Sequence, residues 1–207
     1  MYSRYIKRTI DFLLSLVGMV ILSPVFVVLI VLGFIYMHGN PFFFQERPGK
    51  NEKIFKLIKF RTMDNRKDKN GKLLPDSVRL NKYGRFLRKT SMDELPELIN
   101  ILKGDMSFAG PRPLMKRYLP YYTNDERHRH DVRPGLTVYA QVSGRNALNW
   151  DERFKYDLYY TQNISFMLDF KVFVDTIKIV ANHSGIELGD LGNLDDYRTV
   201  NPDYKER

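Results

Sequence analysis

Residues 12–37 read FLLSLVGMVILSPVFVVLIVLGFIYM, 26 residues without a formal charge. As helix the run measures roughly 39 Å at about 1.5 Å per residue, more than a bilayer hydrocarbon core of roughly 30 Å. It is too long for a signal peptide, and no small-residue cleavage site follows it. The plain reading is a single-pass anchor, but Ser23-Pro24 near its centre argues otherwise. Proline there removes a helical N–H and its ring clashes with the preceding turn, while the Ser23 hydroxyl is placed to satisfy a freed carbonyl, so a sharp bend is predicted. Both flanks are basic, with Arg4, Lys7 and Arg8 before the run and Arg47, Lys50, Lys53, Lys56, Lys59 and Arg61 after it. Positive charge concentrates in cytoplasmic flanks, so a chain basic at both ends fits a re-entrant hairpin that enters and leaves by one face. On these residues the hairpin and a kinked span stand as alternatives, and either tethers the rest of the chain to the bilayer.

The whole chain has 207 residues, enough for one compact domain plus an anchor. We divide it into a membrane helical hairpin over 1–40, a catalytic domain over 41–183 and a C-terminal tail over 184–207. The fold class expected is α+β, mainly helical. The formal charge of +9 is not concentrated in any tail, so a basic folded surface is predicted, suited to nucleic acid, acidic headgroups or a phosphorylated substrate. With no cysteine, neither a disulfide framework nor a thiolate metal site exists. His128 and His130 alternate in a charged segment and read as solvated surface. Phe42 to Gln45 and Ile54 to Thr62 flank the turn-rich Arg47-Pro-Gly-Lys-Asn51, which predicts a β-hairpin. Asp64 to Asp76 reads as a polar loop. Ile164 to Ala181 is apolar with interspersed charges, which predicts a helix packed on the core or lying along the bilayer interface.

Lys89 to Pro113, KTSMDELPELINILKGDMSFAGPRP, contains the candidate chemistry. Leu95, Leu98, Ile99 and Leu102 recur at helical spacing and Gly104 ends the run, predicting an amphipathic helix of about three turns from Met92. Asp93 and Glu94 sit at its start. Ser91-Met-Asp-Glu94 fits a capping box, a purely structural reading of Glu94. Pro96 complicates that register, and a cap at Asp93 would place it within the first turn. In either register Asp93 lies at the positive end of the helix dipole, where it should stay ionised and where a phosphate is welcome. An ionised carboxylate beside a phosphate serves as nucleophile or magnesium ligand. Cations surround the pair: Lys59 and Arg61 at the end of the hairpin, Arg88 before it, and Arg112 between two prolines that restrict its backbone. Arg133-Pro-Gly135 and Gln141 to Arg145 form a second turn-rich, arginine-bearing segment.

Taken together, the Ser23-Pro24 anchor, Lys59-Phe-Arg-Thr-Met63, Ser91-Met-Asp-Glu-Leu-Pro96, Gly110-Pro-Arg-Pro113, Arg133-Pro-Gly135 and Gln141 to Arg145 resemble the bacterial sugar transferases, the small monotopic phosphoglycosyl transferases. The match runs from the N-terminus to about residue 180. The resemblance implies that Asp93 attacks the sugar-bearing phosphate of a UDP-sugar, expelling UMP, and that polyprenyl phosphate then takes the phosphosugar from the aspartate. It implies Mg²⁺ as cofactor, touching Asp93, and Glu94 as the partner carboxylate. Lys59, Arg88, Arg112 and Arg145 would bind phosphate or nucleotide, with Asp157 a further candidate for the nucleotide site. The family also favours the re-entrant hairpin, broken at Ser23 and Pro24, on the cytoplasmic face of a bacterial inner membrane, with later pathway glycosyltransferases as further partners. The short chain is most similar to members that initiate protein N-glycosylation. One departure is Thr137-Val-Tyr-Ala-Gln141, where many relatives carry glycine after the threonine.

Three other classes fit less well. A tethered nucleic-acid-binding module would be basic and aromatic too, but no helix-turn-helix, RRM or basic helix is recognisable, and no nucleic acid is expected as a partner. A glycosidase places its carboxylates roughly 5 Å or more apart on either side of a sugar, which adjacent residues on one turn do poorly. A doubly wound nucleotide-sugar transferase needs a strand and Gly-rich loop opening a helix, which the chain lacks.

Overall fold

Pro24 has no N–H to offer the carbonyl of Val20, and the Ser23 hydroxyl donates to that carbonyl instead, at 2.7 Å. The computed structural model, which describes residues 2–143, 148–181 and 192–200, accordingly breaks the apolar run into two helices, α1 (Lys7–Ile21) and α2 (Ser23–Met37), bent by 65°. Among the described residues no single helix is long and apolar enough to cross a membrane, and the apolar length belongs to the bent pair. Much of the pair is not covered by protein: Leu13, Leu16, Val17, Val20, Val27 and Val31 are among its exposed side chains. A continuous apolar exterior of this kind calls for a partner or a lipid phase.

What the pair does bury is partly polar. Asp11 and Ser15 are buried on α1, and Asp11 accepts a hydrogen bond from the Phe108 N–H at 3.1 Å. The Arg8 guanidinium donates to the carbonyls of Ile101 and Leu102, at 2.6 and 2.8 Å. Those carbonyls lie in the last turn of a domain helix, where a cation satisfies orphan acceptors and complements the dipole. On α2, a Cβ on Gly33 would meet Pro41 at 2.6 Å, so glycine permits the chain to fold back against the helix.

The predicted hairpin follows. Strand β1 (Phe42–Pro48) pairs antiparallel with β2 (Ile54–Phe60), Phe42 opposite Phe60 and Pro48 opposite Ile54. The polar 64–76 loop carries one short bridge between Lys67 and Leu73. Helices α3 (Asp76–Arg79) and α4 (Lys82–Thr90) lead to a 3₁₀ turn, Met92–Glu94, and then to α5 (Glu97–Lys103). Among the described residues no strand pairs with the outer edge of β2, and Asn100 of α5 takes that place. Its side chain accepts from the Ile58 N–H at 3.0 Å and donates to the Lys56 carbonyl at 2.8 Å. A buried amide imitates a peptide group there and locks α5 to the strand.

A second sheet, not anticipated from the sequence, pairs β3 (Ser107–Ala109) in parallel with β4 (Gly135–Thr137). The backbones approach so closely beyond it that a Cβ on Gly135 would lie 2.1 Å from the Gly110 nitrogen. Short helices α6 (Asn124–Arg127) and α7 (Tyr139–Ser143) precede α8 (Trp150–Gln162) and α9 (Phe166–Ala181). On α9, Val172 is buried with Ala109 and Tyr160, while Phe166, Phe170, Phe173, Ile177 and Val180 form an exposed apolar stripe. The architecture is therefore a mainly helical α+β domain with a β-hairpin.

Three sequence expectations change here. The signal-poor stretch after Ser184 contains α10 (Leu194–Val200), whose Leu194 joins the core of Tyr118, Trp150 and Phe154. Arg198 of α10 is buried and pairs with Glu126 and with Asp151. His130 is buried, and burial holds it well below its ordinary value, at about 3, so it is neutral packing beside Tyr122. Asp157, a candidate for the nucleotide site, is 1% exposed and ion-paired with the equally buried Arg129 at 2.7 Å.

Two substitutions test these supports by thermal or denaturant unfolding in nanodiscs. Asn100→Leu orphans two buried peptide groups on β2 and is expected to cost about 2–4 kcal/mol. Asp157→Asn leaves a buried guanidinium without its counter-charge, and a loss of about 3–5 kcal/mol is expected.

Candidate active site

Between α1, the hairpin, the 3₁₀ turn, α7 and α9 lies an open cleft of about 1060 Å³. One face of β1 lines it, because Phe43, Gln45 and Arg47 alternate along the strand, and Lys59 of β2 and Arg61 just after that strand face it too. Arg79, Arg88 and Arg112 add three more cations, whereas Asp93 and Glu94 are the carboxylates among the described lining residues. Six cations against two acids make a cleft suited to a polyanion.

The two acids reach the cleft by a route that differs from the predicted helix. Ser91 adopts a left-handed conformation, φ 55°, and ends α4 by donating its N–H to the carbonyls of Arg88 and Leu87. Its side chain makes no capping bond, so no capping box forms. Met92–Glu94 is a single 3₁₀ turn and Pro96, without an N–H, caps α5. The expected three-turn helix is thus two shorter pieces, with the acids on the tight turn between them. Glu94 turns to the hairpin: its Oε1 lies 2.6 Å from Lys59 Nζ. The same ammonium lies 3.1 Å from Glu97 Oε1, so one lysine is shared by two carboxylates. Burial pulls the Lys59 ammonium down, and Glu94 and Glu97 overcome it and hold the group above its ordinary value.

A backbone N–H at this turn favours ionised Asp93, as expected of a helix start, but burial outweighs it. Burial pushes its carboxyl up, neighbouring Glu94 adds to the rise, and Lys59 and Arg88 oppose it. A partly desolvated, more basic carboxylate is a better nucleophile than one held low. Arg88 is aimed by its Nε bond to Thr62 Oγ1 at 3.1 Å. Arg112 is set from behind, since its carbonyl accepts from the buried Arg129 at 2.8 Å.

Of the residues expected from the sequence, Lys59, Arg88, Asp93, Glu94 and Arg112 converge on this cleft, and Gln141 joins them. Asp157 does not line it; its place is in the buried pair that holds Arg129 under Arg112. Arg145 lies outside the described residues. Arg47, Arg79 and Glu97 were not anticipated. Period-two alternation along β1 carries the signal for Arg47, whereas Arg79 and Glu97 depend on tertiary packing. Among the described residues no three carboxylate or histidine groups converge on a metal. One or two cleft carboxylates would fit a Mg²⁺ of the kind that takes most of its ligands from phosphates and water.

The family model for "bacterial sugar transferase" matches residues 2–183. The chain is 46% identical over 188 residues to the uncharacterized sugar transferase EpsL of Bacillus subtilis, covering 88% of this chain and 90% of that protein. It is 35% identical over 198 residues to the exopolysaccharide production protein ExoY of Sinorhizobium fredii, covering 86% and 87%. It is 33% identical over 193 residues to the UDP-N-acetylgalactosamine-undecaprenyl-phosphate N-acetylgalactosaminephosphotransferase of Aeromonas hydrophila, covering 87% of this chain and 45% of that longer protein. By the extent of the family match and by these identities, the chain belongs to the bacterial sugar transferase family and is a transferase.

Proposed function

We propose that this transferase moves a phosphosugar from a UDP-sugar to polyprenyl phosphate, giving a polyprenyl-diphosphate-linked sugar and UMP. The observation that carries the reading is the pair Asp93–Glu94 on a tight turn facing a cleft rich in cations. Asp93 Oδ attacks the sugar-bearing phosphorus, the bond from that phosphorus to the bridging oxygen breaks, and UMP leaves with the electron pair. The phosphosugar is then held as an acyl phosphate on Asp93. An oxygen of polyprenyl phosphate attacks the same phosphorus, and the Asp93 carboxylate is released. Lys59, Arg88 and Arg112 bind the phosphates in both steps, and Arg145 is assigned the same role from the sequence motif. Glu94 orients the acceptor phosphate. Asp93 is the residue that would help hold a Mg²⁺, and the chemistry such an ion would supply is neutralisation of charge on the leaving phosphate.

The bent helix pair supports a re-entrant anchor, with the exposed stripes of α1, α2 and α9 in the lipid phase at the cytoplasmic face of a bacterial inner membrane. Such an anchor brings a lipid-borne acceptor to the cleft, to which Leu14 and Gly18 of α1 and Leu22 at the bend contribute. The product is the first lipid-linked sugar of a glycoconjugate. An N-linked glycan is the destination read from the sequence; the name of ExoY, matched over most of its length, favours an exopolysaccharide as a second reading.

Two measurements test this function. Incubated with a UDP-sugar and Mg²⁺ without acceptor, the detergent-purified enzyme should gain the mass of one phosphosugar and release UMP; UDP release without an adduct refutes the mechanism. Asp93→Asn should form no adduct and lose turnover by on the order of 10⁴-fold or more. Because the chain has no cysteine, single cysteines at Ser3 and Lys50 report topology directly. In sealed inverted vesicles both should react with an impermeant reagent, and protection of one alone means a span.

A further inference from the structure

Lys59 faces two carboxylates, and only one of them lines the cleft. Glu94 does so, but the Glu97 side chain is 4% exposed and sits behind the ammonium at 3.1 Å. Glu97 opens α5, which Asn100 clamps to β2, so the backbone positions from which its carboxylate and the Lys59 ammonium meet are fixed by two peptide-like hydrogen bonds. The charged groups acting on Glu97 come from each neighbouring element: Lys59 on β2, Glu94 on the 3₁₀ turn, Arg112 after β3 and Arg47 on β1. With both carboxylates ionised the Lys59, Glu94 and Glu97 group carries a net negative charge. With Glu97 neutral it carries none.

Resting on the phosphosugar-transfer reading of this cleft, we propose that Glu97 is a positioning residue that sets its phosphate affinity. Ionised, it draws the Lys59 ammonium away from the cleft and adds negative charge behind it; neutral, it leaves the ammonium to the cleft and to Glu94. Burial pushes the Glu97 carboxyl up to about 7, Lys59 and Arg112 opposing the rise and Glu94 adding to it, so both forms are populated near neutrality. The sign follows: the anionic donor binds more tightly below that value and less tightly above it.

The test is the pH dependence of the donor KM, from about pH 6 to about pH 8, for the enzyme in nanodiscs with the UDP-sugar that gives the largest UMP release. A sugar diphosphate diester keeps its charge over this range, so the ligand does not contribute. The wild-type KM is expected to rise on the order of fivefold with kcat moving less. In Glu97→Gln the KM should stay flat at the low-pH value, and Glu97→Asp should restore the dependence. A flat wild-type profile, or the same rise in wild type and Glu97→Gln, overturns the proposal. If Glu97→Gln does not fold, infrared spectra in the Asp93→Asn background decide. A protonated carboxyl band that disappears between the same pH limits supports the proposal, and its absence overturns it. Failure of the wild type to release UMP from any UDP-sugar would instead bring down the parent reading, and this proposal with it.

Discussion

A two-stranded hairpin leaves the outer edge of β2 unpaired, and Asn100 closes that edge with a side-chain amide. Much of the active-site arrangement depends on this substitution of a side chain for a third strand. It fixes α5 against β2, and with α5 come Glu97 at its first position and the 3₁₀ turn of Asp93 and Glu94 just before it. Lys59, three residues from the clamped Lys56 carbonyl, then has no choice but to meet two acids. Its ammonium is balanced twice over, while Asp93, beside it, is left in a buried setting that raises its basicity.

The same domain is bolted to the apolar helices by polar contacts rather than by grease alone. Arg8 completes the last turn of α5, and Asp11 holds the Phe108 N–H of β3. Lys7 pairs with Asp169 of α9 at 2.6 Å. These contacts join α1 to both the site-bearing helix and the helix with the exposed apolar stripe. The cleft is therefore held at a constant position relative to the apolar exterior, an arrangement that suits the proposed transfer from a soluble donor to a lipid-borne acceptor. On the opposite side, the Arg129–Asp157 pair supports the Arg112 carbonyl, so a residue that looked like a ligand contact acts through the backbone of one that lines the cleft.

Local signals were the most legible ones. The bend at Ser23-Pro24, the hairpin around Arg47 to Asn51 and the helix on α9 all follow from proline chemistry, turn residues or apolar periodicity. The parallel β3–β4 pair was not legible, since two three-residue strands about 28 positions apart have no periodic signature. Its requirement for glycine at 110 and 135 is visible only once the backbones meet. The capping box at Ser91 failed for a related reason: local preference favoured a cap, but Lys59, 35 residues upstream, engages Glu94 instead.

A broken apolar run, a basic domain and two adjacent acids flanked by cations were all readable from the amino acids alone. Residue chemistry and short spacings suffice for each of these. What the charges do to one another emerged with the folded chain. Burial, not residue type, raised the Asp93 and Glu97 carboxyls, withdrew Asp157 from the cleft, neutralised His130 and brought Arg47 and Glu97 into the group around Lys59. Desolvation and long-range ion pairing arise from distances between remote segments, and those distances exist only in the folded chain.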